Sequence, residues 1–288
     1  MKIQVSQWHT MNRPIYIITG LMGSGKSTVS NFFKLRHFEV LNMDEISKDI
    51  MFTDADMKVA LISAFGKNVI NEDATYNIDY IKGVYFDPQF DTERELFEHD
   101  LDLKIRDIFS KPNKYFDTET KEGVPLIMEI PSFNLNRFER IYHCFFTEIK
   151  YVINVSANYK DRMDRVHKRG LTDEEISNRN RLQTDYSYPQ NQPDICGHNF
   201  CNIDNDGSVE ELYDKVTKLM EQPDFFDEQT KDKIFDDYMS KMPSYVRANM
   251  KCYVYYNSTG CGSCPCPCKS SDRHFEETVK SRLKVKDD

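Results

Sequence analysis

The stretch "TGLMGSGKSTVSNFF", Thr19 to Phe33, follows directly on the apolar run Ile15-Tyr16-Ile17-Ile18. Within it, Gly20-x-x-x-x-Gly25-Lys26-Ser27 matches a phosphate-binding loop at every fixed position. The residue types have physical reasons. Glycines let backbone N–H groups curl around phosphate oxygens without a Cβ in the way. A helix opening near Lys26 points its positive dipole end at the same anion. Lys26 is expected to reach the β- and γ-phosphates of a nucleotide, Ser27 to ligate Mg²⁺, and Thr28 to add a hydroxyl near the α-phosphate. The nucleotide-binding set read from the loop is Gly20, Met22, Gly23, Ser24, Gly25, Lys26, Ser27 and Thr28. A chance glycine loop is the bland alternative. The strand-like run before it and the helical spacing of Val29, Phe32, Phe33 and Leu35 after it argue against chance.

Working outward, five apolar strand-sized runs stand at Ile15–Thr19, Glu39–Met43, Pro125–Ile130, Lys150–Val155 and Asn199–Ile203. Helix-like stretches separate them. Thr172-Asp173-Glu174-Glu175 and Ser208-Val209-Glu210-Glu211 read as capping boxes that open helices. The alternation predicts an α/β fold of three layers, with a mostly parallel five-stranded sheet. The rhythm ends around "MEQPDFFD", Met220–Asp227, which sets a domain boundary near Gln222. Residues 1–222 are expected to form the main domain, and residues 223–288 an extension with a cysteine-rich segment.

Composition narrows the class. The chain has 288 residues, 39% hydrophobic and 30% charged, which suits a globular protein rather than a disordered one. A net charge of −9 argues against duplex nucleic acid as a partner. No apolar run approaches the roughly 20 residues of a membrane helix. The N-terminal "MKIQVSQWHTMNRP" lacks a signal-peptide core, so a cytoplasmic location is expected.

Three further groups carry chemistry. Asp44, after the second apolar run, is expected at the carboxyl edge of a strand adjacent to the loop, where ligands sit in open α/β sheets. A carboxylate there can deprotonate an acceptor hydroxyl or hold a metal-bound water. The competing reading is a helix N-cap, and the two roles are compatible. Glu129 ends "VPLIMEI" and either helps position the metal through water or simply caps or pairs with a lysine. In "DRMDRVHKRGLTDEEISNRNRLQ", Arg162, Arg165, Arg169, Arg179 and Arg181 crowd one segment. The arginines Arg165 and Arg169 are expected on one helical face of a lid over about residues 158–190, aimed at the transferring phosphoryl group. A solvated charged helix is the alternative.

"TGLMGSGKSTVSNFF", "EVLNMDEISKDI", "LIMEIPSF", the arginine-rich segment and "NIDNDGSVEEL" together resemble dephospho-CoA kinases, over roughly Ile15 to Met220. The resemblance implies a P-loop core, a helical substrate region and a lid, with transfer of the ATP γ-phosphate to the ribose 3′-hydroxyl of dephospho-CoA. It implies Asp44 as general base, Lys26 and Ser27 serving phosphate and Mg²⁺, Arg165 and Arg169 as lid arginines, and Asn205 and Gly207 near the adenine of ATP. The chain departs from the family pattern where the acceptor binds. Asn42 replaces a first aspartate, Asp79-Tyr80 lacks the family's arginine, and His99-Asp100 replaces His-Pro. A viral-type (deoxy)nucleoside monophosphate kinase shares this architecture and is the alternative. A nucleotide-binding regulatory protein, or a weakened relative whose tail is the functional part, stands beside it.

The tail contains Cys261, Cys264, Cys266 and Cys268. Thiolates of this kind could hold a structural Zn²⁺. Their proline-interrupted spacing fits such a site poorly, and a thiol-rich tail without metal is the preferred reading.

Overall fold

The computed structural model describes residues 11–116, 122–142, 146–188, 199–222 and 224–241. The chain opens with β1 (Met11–Thr19), α1 (Lys26–Leu35), β2 (Glu39–Asn42) and α2 (Met43–Thr53). Three helices follow, α3 (Ala55–Phe65), α4 (Ile78–Phe86) and α5 (Asp91–Phe109). Then come β3 (Leu126–Glu129), α6 (Leu135–Tyr142), β4 (Phe146–Ser156), α7 (Tyr159–His167) and α8 (Asp173–Asn180). The last elements are β5 (Asn199–Asp204), α9 (Val209–Met220) and α10 (Glu228–Ser240).

All five strands run parallel in the order β2-β3-β1-β4-β5. β1 is central, and the phosphate loop leaves its carboxyl end. The expected α/β fold is present, and both capping boxes form, on Thr172 with Glu175 and on Ser208 with Glu211. β1 starts earlier than its apolar run. Pro14 has no N–H to give a central strand, and the register against β4 shifts between Met11 and Pro14 to accommodate it. Strand alternation divides the core. Ile15 and Ile17 face the cluster built by α2 to α6, to which α5 contributes Phe97, Leu101, Ile105 and Phe109 at helical spacing. Each such buried side chain stabilises the fold by about 1.5–3 kcal/mol.

One buried cation ties strand beginnings together. Arg13 is only 1% exposed; it donates to the carbonyls of Val124 at 2.9 Å and Pro125 at 3.2 Å, and pairs with Glu39 at 2.8 Å. Among the described residues, no helix is long and apolar enough to cross a membrane.

The first compact unit runs to Thr230, past the boundary expected near Gln222. Tyr16, on the β1 face opposite Ile15 and Ile17, explains the extension. Its hydroxyl donates to the Phe225 carbonyl at 2.6 Å, and its ring lies 5.0 Å from Phe225 and 5.1 Å from Phe226. Both phenylalanines are buried. The second unit is Lys231–Asp288; its described residues end at 241, and Cys261, Cys264, Cys266 and Cys268 lie outside them. Phe225→Ala should lower unfolding free energy by about 3–5 kcal/mol in a urea titration. An unchanged midpoint would mean that the first unit does not depend on residues beyond Gln222.

Candidate active site

The loop from Gly20 to Gly25 joins β1 to α1, and side chains satisfy its carbonyls one after another. Lys26 Nζ donates to Gly20 O at 2.9 Å and Leu21 O at 3.1 Å. Arg162 Nε donates to Met22 O at 3.1 Å, Arg165 to Gly23 O at 3.2 Å, and Asn205 Nδ2 to Ser24 O at 2.7 Å. The Met22 N–H donates to Gln183 Oε1 at 2.9 Å. α1 has no side-chain N-cap; the Thr28 N–H donates to Gly25 O at 3.0 Å, and the N–H groups ahead of it in the first turn are placed to meet an anion. Gly25 has φ 104°, and a Cβ there would meet Asn205 Nδ2 at 2.1 Å. Only glycine leaves room for that amide.

Lys26 is buried, and burial brings its pKa down from 10.5 to about 8. Glu129 and then Asp44 pull it back up, while Arg169 and Arg162 push it down further. Burial, aided by the two arginines, prevails over the two carboxylates. The loop lysine thus sits among two carboxylates and two guanidiniums. A phosphate at the loop would supply the negative charge that this buried ammonium lacks.

Several expected residues sit differently from the sequence reading. β3 lies between β2 and the loop strand, so β2 is not adjacent to β1. Asp44 is nevertheless within electrostatic reach of Lys26, from the exposed first turn of α2. It does not cap that helix. Asn42 does, accepting from Asp44 N at 3.1 Å and Glu45 N at 3.2 Å. An amide can do the capping of an aspartate at this position, which accounts for Asn42 and leaves the Asp44 carboxylate free of the task. Glu129 ends β3 beside Ile18 and is buried.

The arginines also divide. Arg165 donates to Gly23 O and, at 3.0 Å, to Asn205 O, so its guanidinium is engaged with the loop backbone. Arg169 lies beyond the end of α7 in a turn rather than on the helical face of Arg165, and is exposed. Asn205 is buried with its side-chain amide committed to Ser24 O. Gly207 is exposed; a Cβ there would meet the Glu211 carboxylate at 1.7 Å, and this carboxylate reaches back to Ser208 N in the capping box. Arg162 and Gln183, which hold Met22, were not singled out as site residues. Their signal was the position of the arginine-rich segment, but which arginine meets the loop depends on the packing of α7.

The oxygen donors fit a hard cation. Ser27 is exposed in the first turn of α1, and Asp44 and Glu129 are the carboxylates acting on the loop lysine. Among the described residues no cluster of His, Cys, Asp and Glu forms a metal site by itself.

The far side of the lid segment meets the helical region. Arg181 pairs with Asp91 at 2.6 Å and donates to Phe86 O at 3.2 Å, while the Arg179 guanidinium lies 4.7 Å from the Phe86 ring centre. A cleft of about 830 Å³ lies between α4 and α8, lined by Asp79, Lys82, Phe86, Glu175 and Arg179 among others. Asp79 is exposed, and the Tyr80 hydroxyl donates to Phe65 O at 3.3 Å.

A parallel sheet with a phosphate loop on its central strand, a lysine among carboxylates and arginines, and a helical arm facing a two-helix lid define a P-loop kinase. A family profile described as Dephospho-CoA kinase matches residues 15–211. The dephospho-CoA kinase of Corynebacterium glutamicum is 23% identical over 204 residues, covering 70% of this chain and 94% of that one. The dephospho-CoA kinase of Aquifex aeolicus is 25% identical over 205 residues, covering 71% and 95%. The solved structure of dephospho-CoA kinase from Campylobacter jejuni aligns with a TM-score of 0.42 at 20% identity, covering 72% of this chain and 96% of that one. The chain belongs to the dephospho-CoA kinase family.

Phosphate binding favours the charged form of Lys26, so the bound pKa lies above about 8 and binding takes up a proton above that pH. Metal-free ADP should therefore lose affinity as pH rises through about 8, approaching tenfold per unit. Calorimetric titrations from about pH 7.5 to 9.5 read the slope, and Lys26→Arg, which stays charged there, should flatten it. A flat wild-type profile would remove Lys26 from the phosphate site.

Proposed function

We propose that this chain transfers the γ-phosphoryl group of ATP to the 3′-hydroxyl of dephospho-CoA, with Asp44 as the general base. The observation that carries this reading is the Asp44 carboxylate acting on the buried loop lysine while free of helix capping. A base beside the phosphate loop can take the proton of a hydroxyl as it attacks the γ-phosphorus. Lys26 and the first-turn N–H groups of α1 receive the β- and γ-phosphates, and Arg169 faces the developing charge on the transferring group. Arg165 acts from behind the loop, through Gly23 and Asn205, rather than on the phosphoryl group itself. Ser27 would hold Mg²⁺, with Glu129 acting through water. Held there, the ion would supply charge neutralisation for the transfer.

The acceptor is read into the cleft between α4 and α8, whose walls come from the helical region and the lid. The loss of the family's arginine at Asp79-Tyr80 leaves Lys82 and Arg179 as the cations lining that cleft. The family match and the named relatives favour dephospho-CoA and lend no support to the nucleoside monophosphate alternative. A cytoplasmic site of action goes with this reading.

Purified protein with ATP and Mg²⁺ should release ADP when dephospho-CoA is added, and should not with deoxynucleoside monophosphates. Turnover confined to a nucleotide would overturn the assignment. Asp44→Asn should cut kcat at least about 100-fold while nucleotide affinity changes little. Unchanged turnover would show that Asp44 is not the base.

A further inference from the structure

Met22 occupies a variable position of the phosphate loop, and three separate contacts tie it to the lid segment. Its N–H donates to Gln183 Oε1 at 2.9 Å, and its carbonyl accepts from Arg162 Nε at 3.1 Å. Its side chain packs on a small cluster of Met163, Val166 and Ile176, distinct from the main core. Arg162 belongs to α7, and Gln183 follows the end of α8. Both ends of the lid segment therefore converge on one residue of the loop, on the two peptide groups that flank its Cα, and residues from both lid helices pack on its side chain. Gly23 permits the approach, since a Cβ there would stand 2.7 Å from Arg162 O and 2.8 Å from Val166 Cγ2.

The same segment holds the acceptor side at its other surface. Arg181 pairs with Asp91, and Arg179 lies over Phe86. α8 and the residues after it thus bridge the phosphate loop and the helices α4 and α5. An apolar side chain at a position that need only offer its backbone to phosphate is unexplained by nucleotide binding alone.

We infer that Met22 is a positioning residue that couples the lid to the nucleotide, with Gln183 as its partner on the lid. The inference rests on the phosphate loop being a nucleotide site. An occupied loop fixes the Met22 peptide, and the Met22 peptide fixes where α7 and α8 sit. Such coupling is reciprocal, so a lid held by the acceptor helices also favours the nucleotide-ready loop. Gln183 contributes one hydrogen bond, and Met22 contributes the packed thioether. Neither touches the reacting atoms.

Hydrogen exchange of peptides covering residues 158–188, with and without ADP and Mg²⁺, reads the coupling in the full-length chain. In the wild type, ADP should slow exchange in this segment. Gln183→Ala should reduce that ADP-dependent protection by about tenfold and, because the coupling is reciprocal, weaken ADP binding by a comparable factor in calorimetry. Its kcat should fall and its KM for ATP should rise. Met22→Ala should lose the protection in the same way, and Met22→Leu, which keeps the apolar packing, should restore it. Since Gln183→Ala deletes a single hydrogen bond, it keeps the test open if Met22→Ala fails to fold. Wild-type protection in Gln183→Ala would overturn the coupling. Loss of ADP affinity with the protection of the ADP-saturated protein unchanged would do the same, since both residues would then serve phosphate binding only. A wild type that binds no ADP would instead overturn the nucleotide site on which the inference stands.

Discussion

A loop that gathers N–H groups around an anion must turn carbonyls elsewhere, and a buried carbonyl without a donor is costly. Here each carbonyl from Gly20 to Ser24 receives a side-chain donor: Lys26 for the first two, then Arg162, Arg165 and Asn205. Those donors come from α1, from α7 and from the segment after β5. The phosphate loop therefore has its shape only when the central strand, the lid helix and the last strand are all assembled. The placement of β1 between β3 and β4 brings these donors to the same end of the sheet.

The same requirement reassigns the arginines. A guanidinium aimed at a phosphoryl group and one that braces a backbone look alike in a charged segment. Arg162 and Arg165 brace the loop, Arg179 and Arg181 engage the helical region, and Arg169 alone of the five has neither attachment among the described residues. The helical region has its own charge network. Arg137 pairs with Asp102 at 2.7 Å and Glu98 at 2.8 Å, and Arg94 pairs with Asp91, the partner of Arg181. Arg94 and Asp102 are buried, so removing a single member would strand an opposite charge in a poorly solvated place. α8 and the residues after it are thereby joined to α4 and α5 through an ion pair and a cation–ring contact.

Much of the architecture was legible before any coordinates. The phosphate loop, five strands, two capping boxes and the parallel α/β class all rest on short-range patterns, a few residues wide, whose physics is local. Misreadings arose where a local pattern had two solutions. Asp44 was a plausible cap, but Asn42, two residues earlier, has the geometry. The apolar run Ile15–Thr19 placed the first strand, yet β1 extends back through Pro14 by a register shift against β4. "PDFFD" breaks the helical rhythm of the sequence, and in the fold its Phe225 and Phe226 pack against Tyr16.

The sequence by itself carried the phosphate-loop pattern after the first core strand and, through several further motifs, the resemblance to dephospho-CoA kinases, since glycines, lysine and serine at fixed spacing are a local geometric requirement. Strand order, the cap at Asn42, the sorting of the arginines and the attachment of Met22 to both ends of the lid were decided only by tertiary structure. Each of these depends on residues far apart in the chain, or on a choice between local partners that packing resolves. Met22 and Gln183, for instance, meet because α7 and α8 fold back on the loop, and no spacing in the sequence records that meeting.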